Sequence, residues 1–274
     1  MLSVELVGKL NIQNSKLKTM QIGMMNDPKR DPVEEARWAA DNGLEFLDLT
    51  IEGALAEAGG IDIGAIKVVL AETGLYVVGH TAPYLPFAFP VERVRRAAVE
   101  EVAALLPLFV QAGASKVNVH LSRGIGGFGQ PLAIAQNRKS FAELAEIAES
   151  HGLQIVVEHL PDPGTSVADI VAVLDADPRL GFHLDVGHAF VGGDRLEGLL
   201  NALGSRVAHV HMSDNRGKHD DHMPLGAGKI NWSRAVKLLK AIGYDGTVTL
   251  EVFAQERDYL LRSAEKLRRW WDAA

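Results

Sequence analysis

Two hydrophobic rhythms take turns along this chain. Short apolar or alternating runs, such as QIGMM at Gln21–Met25 and FLDLTI at Phe46–Ile51, predict strands. Between them lie segments with helical spacing: Pro32–Asn42, with Pro early and Gly43 behind it, and Ile63–Glu72, closed by Gly74. Further strands are predicted at Leu75–His80, Lys116–Leu121, Gln154–Leu160, Leu180–Asp185, Val207–Met212 and Thr247–Phe253. Helices are predicted at Glu92–Ala112, Leu132–Ser150, Val167–Ala176, Arg195–Leu203, Trp232–Ile242 and from about Glu256 to Asp272. Alternating units imply a parallel sheet, and eight of them in 274 residues imply an α/β fold of one closed (β/α)8 TIM barrel over residues 20–274. A doubly wound open sheet is the competing architecture. It places a Gly-rich phosphate turn after its first strand, and NDPKRD after Met25 is not one. Residues 1–19 form an N-terminal lead-in, either flanking the barrel bottom or arising from a translation start upstream of a natural one at Met20.

Composition narrows the class. The absence of cysteine excludes disulfides, thiolate metal sites and cysteine nucleophiles. A formal charge of −7 does not supply the basic patch of a nucleic-acid binder, and the basic run KLRRWW at Lys266–Trp271 reads as a solvated helix face with its tryptophans turned inward. No apolar run reaches the ~20 residues of a membrane span. The N-terminus lacks the basic start and apolar block of a signal peptide, so a cytoplasmic location is expected.

The chemistry gathers at strand ends. Nine of the ten histidines lie there or in the loop after strand 7; His151 sits at a helix end. In a barrel the C-terminal ends of different strands share one mouth. His80, His120, Glu158, Asp185, His211 and Glu251, one from each of strands 3 to 8, are therefore expected to project into one cavity. Imidazoles and carboxylates together suit a divalent metal ion, and without a cation the converging carboxylates would repel one another. Period-two alternation puts His183 and His209 one layer deeper than Asp185 and His211, and turns His159 away from the cavity as a structural residue.

The segments VVGHTAP, VNVHL, VVEH, LDVGHAF, HVHMSDNRGKHDDHMPLGAGKINW and TLEVF resemble the xylose-isomerase-like barrel superfamily over about Met20 to Asp272. It contains sugar isomerases and epimerases and the endonuclease IV type of apurinic-site nuclease. For the epimerases, the resemblance implies one metal held by Glu158, Asp185, His211 and Glu251, with Glu158 and Glu251 moving the proton. His188 and Arg216 would then bind substrate hydroxyls. For the nucleases, it implies three zinc ions on His80, His120, Glu158, Asp185, His188, His211, Asp220, His222 and Glu251. NDPKRDP after strand 1, HLPDP after Glu158 where the nucleases carry Asn, and the acidic balance depart from the nuclease pattern. LDLTIEG, with Asp48 and Glu52, looks more like the sugar-processing side.

The expected function is thus a divalent-metal-dependent isomerase or epimerase of a sugar or sugar phosphate, using manganese, cobalt, magnesium or zinc. It would act by proton transfer through a metal-stabilised enediolate. Lys218 and Lys229 are candidates to grip a phosphate. Tyr84, Leu85 and Phe87 are expected to form an apolar lid, or in a nuclease a wedge. The alternative is a zinc phosphodiesterase acting on abasic DNA. The expected partner is a small sugar, with no membrane and with nucleic acid only under the alternative. Analogy to such barrels adds a homo-oligomer, with the helices around Trp270 and Trp271 as candidate contacts.

Overall fold

The structure, a computed structural model, describes residues 20–52 and 58–274. Its strands are β1 (Gln21–Met25), β2 (Phe46–Ile51), β3 (Tyr76–Thr81), β4 (Lys116–His120), β5 (Gln154–Glu158), β6 (Gly181–Asp185), β7 (Val207–Met212) and β8 (Thr247–Leu250). They pair in parallel and in chain order, and β8 returns to β1 to close the barrel. Helices α1 (Pro32–Asp41), α2 (Ile63–Thr73), α3 (Glu92–Gln111), α4 (Gly129–Ser150) and α5 (Val167–Leu174) follow the first five strands. After β6 come α6 (Val186–Phe190) and α7 (Leu196–Leu203); α8 (Trp232–Ala241) follows β7 and α9 (Asp258–Ala273) follows β8. The expected TIM barrel is therefore the fold. The expected lead-in at 1–19 lies outside the described residues, among which no helix is long and apolar enough to cross a membrane.

Local chemistry sets the element ends. Asp31 caps α1 by accepting the Val33 N–H at 2.8 Å, with Pro32 in the first turn, where a missing N–H costs nothing. Ser166 and Asp169 form a reciprocal capping box on α5. Close packing of helix on strand has its own requirement: a Cβ at Gly79 in β3 would come within 2.7 Å of the Phe109 ring of α3. The apolar core runs between barrel and helices. All six positions of β2 are buried, Asp48 and Thr50 included, so its polar groups must find partners inside the barrel.

The long β7–α8 connection owes its path to Asp214. This buried carboxylate accepts the N–H groups of Asn215 (2.9 Å), Ile230 (3.2 Å) and Gly226 (2.8 Å) and the Trp232 indole N–H (2.9 Å). The loop is thereby folded over the barrel mouth, with Asp220 and His222 turned into the cleft there. Arg216, Lys218 and Lys229 are left exposed on its outer side.

Two expectations change. Strands 4, 5 and 8 end at His120, Glu158 and Leu250, short of the predicted Leu121, Leu160 and Phe253, because the chain leaves the sheet at the mouth. Phe87 is no lid: it is 1% exposed and packs on Phe141 at 5.5 Å between ring centres, whereas Tyr84 and Leu85 do line the cleft. As expected, α9 turns its tryptophans inward: Trp271 is buried, and the half-buried Trp270 stacks on Trp232 at 6.2 Å.

Candidate metal centre

Barrel register brings the expected residues together. His120 of β4 lies opposite Glu158 of β5, Asp185 of β6 opposite His211 of β7, and Glu251 directly follows the last residue of β8. One donor atom each from Glu158, Asp185, His211 and Glu251 falls within 4.8 Å of the others, and all four residues are buried. Above them opens a cleft of about 1010 Å3 whose floor includes Glu251, His80, His120, His188, Asp220 and His222. Glu158, Asp185 and His211 lie beneath that floor, each with 0% exposure.

Each donor is oriented by a named neighbour. Asp185 caps α6: its Oδ1 accepts the His188 N–H at 2.6 Å, which leaves Oδ2 buried with no partner. Glu158 Oε2 accepts from Asn118 and, at 3.0 Å, from His120, while Oε1 is likewise unpartnered. His211 Nε2 donates to Asp48 at 2.6 Å, so its Nδ1 is the nitrogen facing Asp185 and Glu251, at 4.0 and 3.2 Å. The Asp48 Oδ2 that orients it also accepts from His209 (3.1 Å) and Thr249 (2.8 Å). A carboxylate behind a histidine in this manner selects its tautomer and raises its basicity as a ligand.

The electrostatics describe a site short of positive charge. Burial pushes the Asp185 carboxyl up to about 7, aided by the carboxylates of Asp220, Glu158 and Glu251. Burial would also raise Glu158, but the nearby His120 and His183 outweigh it and hold Glu158 well below the usual range. For His211 burial works downward, and the Asp48 and Glu251 carboxylates overcome it and hold the imidazole protonated. Three oxygen donors, one imidazole and two orphaned carboxylate oxygens fit a divalent cation. On its arrival the His211 Nδ1 proton would leave and that nitrogen become a ligand.

The remaining expected residues divide. His80, His120 and Glu158 form a second close group, again with donor atoms within 4.8 Å. Both ring nitrogens of His188 are engaged, Nδ1 donating to the His159 carbonyl at 2.7 Å and Nε2 to Asp220 at 2.9 Å. A sugar hydroxyl would have to displace Asp220 to reach it. His222 adopts a left-handed backbone (φ 45°), uncommon for a residue with a side chain, and places Nε2 3.1 Å from Asp220. Arg216 is exposed and does not line the cleft, and neither do Lys218 and Lys229. His209 does lie deeper, bonded to Asp48 and Thr247, and His159 packs structurally, with Nε2 3.1 Å from the Asp185 carbonyl.

Sequence reasoning missed the roles of Asp48 and Asn118. Each is a polar residue on an apolar strand, in FLDLTI and KVNVHL, and that interruption is the signal that would have found them.

Known proteins share this architecture. Over 124 residues the chain is 36% identical to a protein of Methanocaldococcus jannaschii, a stretch covering 42% of each, so the chain spans less than two thirds of that relative. Fructoselysine 3-epimerase of Escherichia coli O157:H7 is 24% identical over 270 residues, which are 91% of this chain and 98% of that one. The solved IOLI protein with a binding zinc atom superposes with a TM-score of 0.76 at 16% identity, covering 93% of this chain and 99% of the other; at that identity the likeness speaks for the fold. Residues 36–272 match the xylose isomerase-like TIM barrel family, and this chain belongs to it.

Proposed function

We propose that the protein is a divalent-metal-dependent sugar isomerase or epimerase that moves a proton on and off the carbon beside a carbonyl. One observation carries this reading: Glu158, Asp185, His211 and Glu251 converge from β5 to β8 beneath an open cleft, with two carboxylate oxygens unpartnered. A divalent ion held by those four residues supplies Lewis-acid polarisation of neighbouring sugar oxygens.

The chain's own residues supply the rest. Carbon acids are weak, so the base must be ionised and held close. Glu158 is ionised at neutral pH, and so is Glu251, since His222 and His211 outweigh its burial. In an epimerisation one glutamate takes the proton from one face of the carbon and the other returns one to the opposite face. The sugar's composition is unchanged and one centre inverts. In an isomerisation the same carboxylates move the proton between neighbouring carbons. Asp220 presents an Oδ1 with no partner and is the group placed to accept a sugar hydroxyl. Tyr84 and Leu85 supply apolar surface along one wall of the cleft. The fructoselysine epimerase and the zinc-bound relative support this reading by kinship.

The test is incubation of the metal-loaded protein with a panel of ketoses and ketose derivatives in D2O. The expected result is an epimer or isomer carrying one solvent-derived deuterium at the reacting carbon. Absence of exchange with every sugar, at a loaded site, would overturn the proposal. The phosphodiesterase alternative draws on the second donor group, His80, His120 and Glu158. Near three zinc ions per chain together with cleavage of abasic DNA would favour it.

A further inference from the structure

Among the described residues, most cations are spent on the protein's own structure. Arg95 bonds Glu92, Ser140 and Glu143; Arg206 takes three backbone carbonyls and Asp175. Arg179 is bonded to Asp177 and Glu149. One corner of the cleft differs. There the β1–α1 loop brings Lys29 and Arg30, and the β8–α9 loop brings Arg257. The two loops are neighbours because β1 pairs with β8.

Arg257 is held in place without being used up. Its Nη1 lies 2.9 Å from Glu35, itself 2% exposed, and its guanidinium carbon sits 3.7 Å from the Trp38 ring centre. Nη2 has only the Met24 sulfur at 4.0 Å, and Nε has no hydrogen bond among the described residues. A guanidinium offers five N–H donors, so several remain for a ligand. Arg30 reaches Asp27 only at 3.6 Å, and Lys29 has no ion pair among the described residues. Three cations thus meet two carboxylates, Asp27 and Glu35, in a cleft whose opposite floor is rich in carboxylates.

We propose that Lys29, Arg30 and Arg257 form an oxyanion subsite, and that the substrate is a sugar bearing a phosphate or carboxylate away from its reacting carbon. This rests on the isomerase reading for its reaction, though not for the binding itself. The cleft has the room for it: about 1010 Å3 sits at the upper end of the range for a small-molecule site. A planar, stacked guanidinium suits bidentate capture of such a group.

The test uses the metal-loaded full chain and two variants: Lys29→Gln with Arg30→Gln, whose side chains are exposed, and Arg257→Gln with Glu35→Gln, which removes the buried carboxylate together with its partner. Free ketoses, ketose phosphates and keto-sugar acids are compared. The wild type should prefer one anionic class in kcat/KM by about tenfold or more, the worth of one charged hydrogen bond. Each variant should raise KM for that class with little change in kcat, so that the preference collapses. Whichever anion is preferred identifies the group. Equal or better turnover of free ketoses by the wild type would overturn the proposal. If no sugar reacts, calorimetry with inorganic phosphate still decides: binding by the wild type that both variants lose supports the subsite, while the reaction reading alone fails. No phosphate binding, or binding the variants retain, would overturn the subsite.

Discussion

Glu158→Gln is expected to lower kcat by roughly 10^3-fold or more, because it removes both a metal ligand and a proton carrier. The substitution keeps the shape of the side chain. The amide oxygen still accepts from Asn118 and His120, so the fold should survive, and circular dichroism with a melting curve would check that. What is lost is charge: the unpartnered Oε1 becomes part of a neutral amide, which offers neither an anionic ligand nor a base. Solvent deuterium exchange into the sugar should fall with kcat, since exchange needs the same base. A variant that folds, binds metal and retains more than about a tenth of wild-type turnover would remove Glu158 from the chemistry.

Asp48→Asn is expected to weaken metal affinity by about 10–100-fold, the usual effect of losing the carboxylate behind a histidine ligand. Asp48 touches no substrate; it acts through His211. Its Oδ2 collects N–H groups from His209 and His211 and the Thr249 hydroxyl, and an asparagine cannot accept from all three and still place its own NH2. The His211 tautomer then loses its anchor. A positioning role has a distinct signature: the metal needed for half-maximal activity rises, while kcat at saturating metal largely recovers. An unchanged metal requirement would show that Asp48 only fills the barrel interior.

Reading the sequence was sufficient for the barrel because each βα unit writes its own local pattern, a period of two followed by one of 3.6. The strand ends also revealed Glu158, Asp185, His211 and Glu251, since parallel strands of one barrel must end at one mouth. What stayed hidden is non-local. Asp48 meets its partners across 161 to 201 residues of chain, and no local pattern marks such a meeting. The five-residue α6 was too short for helical periodicity to register, yet by having Asp185 as its cap it fixes that carboxylate. Arg216, Lys218 and Lys229 stood in a loop rich in polar residues, where side-chain direction depends on the bonds Asp214 makes rather than on spacing. Among the cations that do line the cleft, Lys29 and Arg30 come from the opposite end of the chain to Arg257, and they meet it only because β8 closes on β1.

The central claim is that Glu158, Asp185, His211 and Glu251 hold a divalent ion. Elemental analysis of protein purified without chelator or an affinity metal tests it most directly, with Asp185→Asn measured in parallel. The account predicts about one ion per wild-type chain, after incubation with manganese, cobalt, magnesium or zinc if needed, and a marked loss in the variant. Wild-type protein that holds no metal under any of these conditions, or a variant that binds as well as the wild type, would contradict it.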